Sequence, residues 1–241
     1  MIKGTNSESV REVLNKIPDF KRHKVIEVTL DMAASMENIV KYSFPKAKLV
    51  TDRFHVQKLA FEAVQEMRIQ LRWEAIEQEN KEFELSKELG KKYIPDILEN
   101  GDTLKQLLAR SRYLLFKPKS KWTPTQLHRG EILFRLYPKL ELAYNLSMQL
   151  GQIYQTTKDK RVAFTRLAQW YDKVEKAGFK SFSTVRRSIE AHYPGILNFF
   201  DNRSTNASAE SFNAKIKAFR SSFRGVRNVT FFLYRLANIY A

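Results

Sequence analysis

Two short runs of β-branched and apolar residues near the start of the chain are typical of strands. They cover residues 25–30 and 48–51. The residues between them have apolar side chains at helical spacing, namely Met36, Ile39, Val40 and Phe44. Pro45 ends that pattern. Strand, helix and strand within so few residues predict a compact βαβ unit with two parallel, neighbouring strands.

From residue 54 to about residue 200 the pattern is helical throughout. One apolar stripe begins at Val56, and a charged helix follows it and ends near Gly90. Another predicted helix, from about residue 138 to 154, has the stripe Leu140, Ala143, Leu146, Leu150 and Ile153. Thr123 is a good helix cap, and Asp159 and Gly178 are typical of the two ends of a further helix. This long middle region is predicted to be an all-helical insertion.

A last helix is predicted to begin near Ala207. Phe212, Ile216 and Phe219 have the spacing of a buried face, and a second face carries Asn206, Glu210, Asn213 and Lys217. The chain is thus divided into residues 1–55, 56–200 and 201–241. The predicted fold class is α/β and helix-dominated, with a βαβ unit and a C-terminal helix separated by the helical insertion.

Charge points to a polyanionic partner. The 241 residues carry 42 Lys and Arg against 26 Asp and Glu, for a formal net charge of +16, which favours nucleic acid. From residue 203 onward there are seven basic residues, and Glu210 is the only acid. The absence of cysteine excludes disulfides, thiol catalysis and Cys-ligated zinc. No apolar run is long enough for a membrane span and nothing marks the chain for export, so we expect a cytoplasmic protein.

Three carboxylates are candidates for chemistry, and each has a plainer alternative. Asp31 and Asp52 each follow a predicted strand, at the sheet edge where α/β proteins place their sites. Two-metal phosphoryl transfer needs several such groups, and Glu210 could add another. Alternatively, Asp31 caps the next helix, Asp52 caps a helix in which His55 is packed, and Glu210 pairs with Lys215 or Lys217.

Five segments together resemble a known family. They are residues 28–32 (VTLDM), 44–47 (FPKA), 52–56 (DRFHV), 111–117 (SRYLLFK) and 205–217 (TNASAESFNAKIK). In order and spacing they are similar to the signatures of insertion-sequence transposases of the ISL-three type, which are related to the Mutator-like and IS256-like groups. The resemblance extends from about residue 7 to the C-terminus. Ser211 departs from the pattern, because the family commonly has glycine beside the glutamate.

The resemblance implies a ribonuclease-H-like core interrupted by a helical insertion. Members of the family use a DDE triad with Mg²⁺ or Mn²⁺ to cut transposon ends and join them to target DNA. Asp31 matches the second acid of the triad and Glu210 the third, so both are the expected catalytic residues and metal ligands. Asp52 and His55 match a D-x-x-H signature with a supporting role. Asn206 and Asn213, on the face of Glu210, are further supporting candidates.

The first acid of the triad has no counterpart in residues 1–20. We therefore expect the chain to correspond to the C-terminal portion of a transposase and to be inactive alone. A sheet without its initial strands would expose an edge, which predicts pairing with another copy or with the remaining part.

The function that the resemblance implies is DNA transposition, in the cytoplasm of a prokaryote and in association with the nucleoid. The expected phosphate contacts are Lys215, Lys217, Arg220, Arg224 and Arg227. A non-catalytic, basic helical module for DNA binding or assembly is the alternative, in which the acids only cap helices. A standalone ribonuclease or resolvase would need a complete acid set, which the sequence does not offer.

Overall fold

The computed structural model describes residues 6–222 and 228–240, and these form two compact units. The first unit comprises Met1–Arg53 and His192–Ala241. Its elements are α1 (Ser7–Leu14), α2 (Asp19–Arg22), β1 (Glu27–Leu30), α3 (Ala34–Ser43), β2 (Lys48–Thr51), α10 (Tyr193–Asn202), α11 (Ala207–Ser222) and α12 (Val229–Tyr240). Residues 203–206 form a short linker between α10 and α11.

The second unit is Phe54–Ala191 and is helical. It contains α4 (Arg53–Glu88, which starts at the unit boundary), α5 (Leu104–Arg110), α6 (Pro124–Leu136), α7 (Pro138–Thr156), α8 (Lys160–Ala177) and α9 (Lys180–Ala191). Two 3₁₀ turns, Leu114–Phe116 and Lys119–Lys121, lie between α5 and α6. The division of the sequence at residues 55 and 200 stays a prediction.

The βαβ unit is present. Strands β1 and β2 pair in parallel, with Glu27 opposite Lys48 and Leu30 opposite Thr51. The ladder continues one step further, because the Asp52 amide donates to the Leu30 carbonyl over 2.9 Å. The helix-dominated α/β class is therefore confirmed, whereas the ribonuclease-H-like core stays a prediction.

Helix α10 packs on β2 and ties the last part of the first unit to its sheet. Gly195 makes this close approach possible, because a Cβ atom there would lie 2.5 Å from Thr51 Oγ1. The Asn198 side chain donates to the Leu49 carbonyl over 2.9 Å, and Asn202 donates to Glu27 Oε2 over 2.9 Å. A glycine and two amides thus hold α10 against the strands.

The core of the second unit follows the predicted stripes. All five stripe residues of α7 are buried, at 9% exposure or less: Leu140, Ala143, Leu146, Leu150 and Ile153. The predicted caps are also confirmed. The Thr123 hydroxyl accepts from the Gln126 amide, and Asp159 caps α8, which ends at Gly178 in the left-handed region.

The helical pattern predicted from residue 54 to about residue 200 is interrupted between α4 and α5. Residues 91–98 have no helical structure, because Gly90 (φ 65°) ends the preceding helix and Pro95 disfavours another. Upstream, the apolar stripe and the charged stretch are one helix, α4, rather than two.

The prediction that one face of α11 is buried is also wrong. Phe212 is 42% exposed, Ile216 and Phe219 are half-buried, and no described residue of α11 is buried. Phe219 packs against Phe232 of α12, with ring centroids 5.4 Å apart. The periodicity is that of an amphipathic helix, but none of the three apolar residues of this face is fully buried.

Candidate functional site

Asp31 stands directly after β1 and keeps one carboxylate oxygen available. It is half-buried, and its Oδ1 accepts from the Ala33 amide over 3.1 Å. The N-cap position of α3 is Ala33, which provides no side-chain cap. Asp31 is thus not the cap of that helix, and its Oδ2 has no partner among residues 6–222 and 228–240.

Asp52 stands at the matching position after β2 and is completely buried, with 0% exposure. Its Oδ2 accepts a hydrogen bond of 3.4 Å from the backbone amide of Asn206. Burial of a carboxylate is tolerated where hydrogen bonds compensate it. This bond attaches the residue that precedes α11 to the carboxyl end of β2.

Glu210 lies on α11, one helical turn after Asn206. Its amide donates to the Asn206 carbonyl over 2.8 Å, so the first turn of α11 begins at the residue bonded to Asp52. The Glu210 side chain is exposed and makes no ion pair with any residue that the structure describes. The alternative in which Lys215 or Lys217 pairs with it is therefore not observed.

The other polar residues of α11 are placed as follows. Asn213 and Lys217 share the face of Glu210 and are exposed. Lys215 and Arg220 are also exposed, and none of these three cations has a carboxylate partner in the described part of the chain. Arg224 and Arg227 lie outside the described residues. The exposed surface of α11 thus combines one carboxylate with three uncompensated cations.

His55 is the third residue of α4 and is half-exposed. It belongs to the second unit, which begins at Phe54, whereas Asp52 belongs to the first. The supporting role of the D-x-x-H pair stays a prediction.

Arg203 lies between α10 and the loop that carries Asn206, and its backbone conformation could not be predicted from the sequence. It caps the end of α10 with a φ of 57°, in the left-handed region that a residue with a side chain adopts at a cost. Its guanidinium lies over the Phe199 ring at 5.4 Å, and Arg53 lies over the same ring at 5.8 Å. The strained turn at Arg203 leads directly into the loop that carries Asn206.

No group of three or more His, Cys, Asp or Glu residues that could hold a metal ion occurs among residues 6–222 and 228–240. The donors that the site offers are carboxylate oxygens, from Asp31 and Glu210. Oxygen donors suit hard ions such as Mg²⁺ and Mn²⁺, and Mg²⁺ in particular is held by one or two carboxylates with water and phosphate oxygens.

Comparison with known families decides the identity. The model of the DDE transposase family of the ISL3 (ISL-three) type, described as "Transposase", matches residues 1–236. The chain belongs to this transposase family. The family implies DNA as the substrate, and its members generally use divalent metals.

No curated protein and no solved structure matches this transposase. Within the described residues, no helix is both long enough and apolar enough to cross a membrane.

Proposed function

We propose that this transposase cuts and joins DNA at insertion-sequence ends in a metal-dependent reaction, with Asp31 and Glu210 as ligands of Mg²⁺ or Mn²⁺ in a ribonuclease-H-like core. The observation that carries the proposal is the hydrogen bond from the Asn206 amide to the buried Asp52 carboxylate. It connects the helix of Glu210 to the same sheet edge at which Asp31 lies. The ion, when bound, would supply Lewis-acid chemistry at a phosphodiester.

Each residue of the site has a distinct task in this proposal. Asp31 offers its Oδ2 atom, because its Oδ1 atom is occupied by the Ala33 amide. Glu210 is exposed and can meet both an ion and a DNA strand. Asp52 positions the start of α11, with His55 in support, and Asn206 and Asn213 flank Glu210.

The cations of α11 would bind the DNA backbone. Lys215, Lys217 and Arg220 are exposed and have no carboxylate partner among the described residues, so their charges are available to phosphates. Arg224 and Arg227, in the same basic segment, are proposed to extend this contact. Since α11 also bears Glu210, a strand bound along it would lie close to the carboxylate.

Mn²⁺ binding, measured by electron paramagnetic resonance, tests the proposal. We expect Asp31→Asn and Glu210→Gln each to weaken Mn²⁺ binding at least about tenfold, because each removes a charged oxygen ligand. Asp172→Asn, which changes an exposed acid of α8, is the matched control and should bind as the wild type does. Glu210→Gln should leave affinity for duplex DNA within about twofold. Equal Mn²⁺ affinity in all four proteins would favour the alternative, a non-catalytic DNA-binding or assembly module.

We further propose that these 241 residues do not join strands by themselves, because they offer only two of the three acids that the family uses. The test is incubation of the chain with Mn²⁺ and DNA that carries the insertion-sequence end. Unchanged DNA is the expected result, and robust cleavage that Glu210→Gln abolishes would overturn this part of the proposal while supporting the role of Glu210.

A further inference from the structure

A polar groove in the second unit lies between α7 and α8, helices that pack against each other. Its volume is about 420 Å³, which is within the range of ligand-binding clefts. The lining consists of two helical stripes: Gln149, Gln152, Ile153 and Thr156 from α7, and Arg166, Gln169, Trp170 and Lys173 from α8. None of these eight residues is acidic, although the chain contains 26 Asp and Glu residues.

The two cations of the groove are not neutralised. Arg166 donates to the hydroxyls of Thr156 and Thr157 over 3.3 and 3.0 Å, and Lys173 Nζ donates to Gln149 Oε1 over 3.4 Å. All of these acceptors are neutral oxygens. Neither cation makes an ion pair with any residue in the described part of the chain.

Other cations of the same unit are bound to carboxylates. Arg129 lies 2.9 Å from Asp102, Lys119 lies 2.9 Å from Glu141, and Arg186 lies 2.9 Å from Glu175. Arg166 and Lys173 thus differ from these residues in having charge to offer an incoming anion.

The spacing of the two cations suits an extended ligand. Arg166 and Lys173 are seven residues apart on α8, which places them on one face about 10 Å apart along the helix axis. Both are exposed, and Gln169 lies between them on the same face. The Gln149, Gln152 and Gln169 amides can donate to phosphate or sugar oxygens and accept from base edges. The base of the groove is fixed in position by Trp170. This side chain is 2% exposed, and its Nε1 donates to the Leu146 carbonyl over 2.7 Å.

We infer that the groove between α7 and α8 is a second DNA-backbone site, in which Arg166 and Lys173 contact phosphates and the three glutamines add hydrogen bonds. This inference rests on the proposed function for the choice of DNA as the polyanion. It gives the helical insertion a part in holding DNA, separate from the carboxylates of the first unit.

Binding of the whole chain to a duplex of about 30 base pairs, followed by fluorescence anisotropy at several salt concentrations, tests the inference. The double variant Arg166→Gln, Lys173→Gln should bind about tenfold more weakly. The slope of the logarithm of the association constant against the logarithm of the salt concentration should fall in magnitude by about 2, because each phosphate contact contributes about 0.9 to that slope. Its melting temperature should stay close to that of the wild type, because both positions are exposed.

The matched control is Lys58→Gln, Lys81→Gln. It removes the same charge from α4, but from exposed lysines that already face Glu62 at 3.6 Å and Glu77 at 2.9 Å. We expect this control to keep at least about half of the wild-type affinity. If the control and the groove variant lose affinity equally, the effect is one of general charge, and the inference is wrong.

Two further outcomes also decide the matter. If the groove variant binds the duplex with wild-type affinity, the proposal that the groove binds DNA is wrong, and the proposed roles of Asp31 and Glu210 are unaffected. Failure of the wild type to bind any duplex would overturn both the groove and DNA transposition. A third arm titrates inorganic phosphate in the millimolar range: if phosphate binds the wild type and not the groove variant while both bind the duplex equally well, the groove is a site for free phosphate, not for DNA.

Discussion

Helices α7 and α11 have similar amphipathic sequences and opposite surroundings. Of the 19 residues of α7, eight are buried, whereas none of the 16 residues of α11 is buried in the described structure. Tyr144 of α7 is 2% exposed, and Phe212 of α11 is 42% exposed. Apolar spacing therefore predicts a helix equally well in both cases, but it predicts burial only where neighbouring helices supply a partner face.

Of these two helices, the exposed one carries the candidate functional residues. Helix α7 belongs to a packed unit that holds its shape through its own core. Helix α11 bears Glu210 and three cations that have no carboxylate partner among the described residues, and it is held at its start by the bond from Asn206 to Asp52. Elements that bind ligands are commonly drawn from the less stable parts of a protein. The comparison predicts that mutations in α7 cost stability and that mutations in α11 cost binding.

The largest expected effect is the loss of a core side chain from α7. Leu150 has 0% exposure, so Leu150→Ala should lower the free energy of unfolding by about 3 kcal/mol through lost burial and a new cavity. Urea denaturation followed by tryptophan fluorescence measures this, because Trp73, Trp122 and Trp170 all lie in the second unit. A loss below about 1 kcal/mol would show that the core of this unit is loosely packed.

A smaller effect is expected at Asp102, the buried carboxylate of the second unit. Burial by itself would raise the pKa of the Asp102 carboxyl, but the hydrogen bonds and charges of Arg129 and Arg110 hold this pKa below its ordinary value. Asp102→Asn should therefore cost about 2 kcal/mol at neutral pH, since charged hydrogen bonds are lost. In the wild type this contribution is present above the unfolded pKa of about 4 and disappears as the pH falls through the lower folded value. Urea titrations at pH 7 and pH 3 check this, and an equal deficit of the variant at both would contradict it.

The smallest effect is expected on α11. Phe212→Ala should change the free energy of unfolding by less than about 0.5 kcal/mol, because the ring is 42% exposed. Far-UV circular dichroism is the suitable probe, since the first unit contains no tryptophan. A loss of 2 kcal/mol or more would mean that the face of Phe212 is covered in solution, and the contrast with α7 would then be lost.

The parts of the fold that depend on local sequence could be predicted. The strands, the helix between them, the Thr123 and Asp159 caps and the end of α8 at Gly178 each depend on neighbouring residues. The prediction of the site residues depends more on the family resemblance, because an aspartate after a strand can equally be a helix cap.

The remaining features depend on contacts distant in sequence. The bond between Asp52 and Asn206 joins residues 154 positions apart, and Arg203 adopts its left-handed conformation without any local sign of it. The groove between α7 and α8 was missed for a different reason. Its signal, two acid-free polar stripes beside the apolar ones, is visible in the sequence only after the two helices are known to be neighbours.

Paramagnetic broadening by Mn²⁺ in an amide NMR spectrum would test most directly whether Asp31 and Glu210 hold one ion. At substoichiometric Mn²⁺ we expect the signals of residues 30–32 and of residues 209–211 to broaden together. In Asp31→Asn both groups of signals should stay sharp at that concentration, with Asp172→Asn behaving as the wild type does. Broadening of only one group, or persistence of the Glu210 effect in Asp31→Asn, would contradict a shared metal site at this sheet edge.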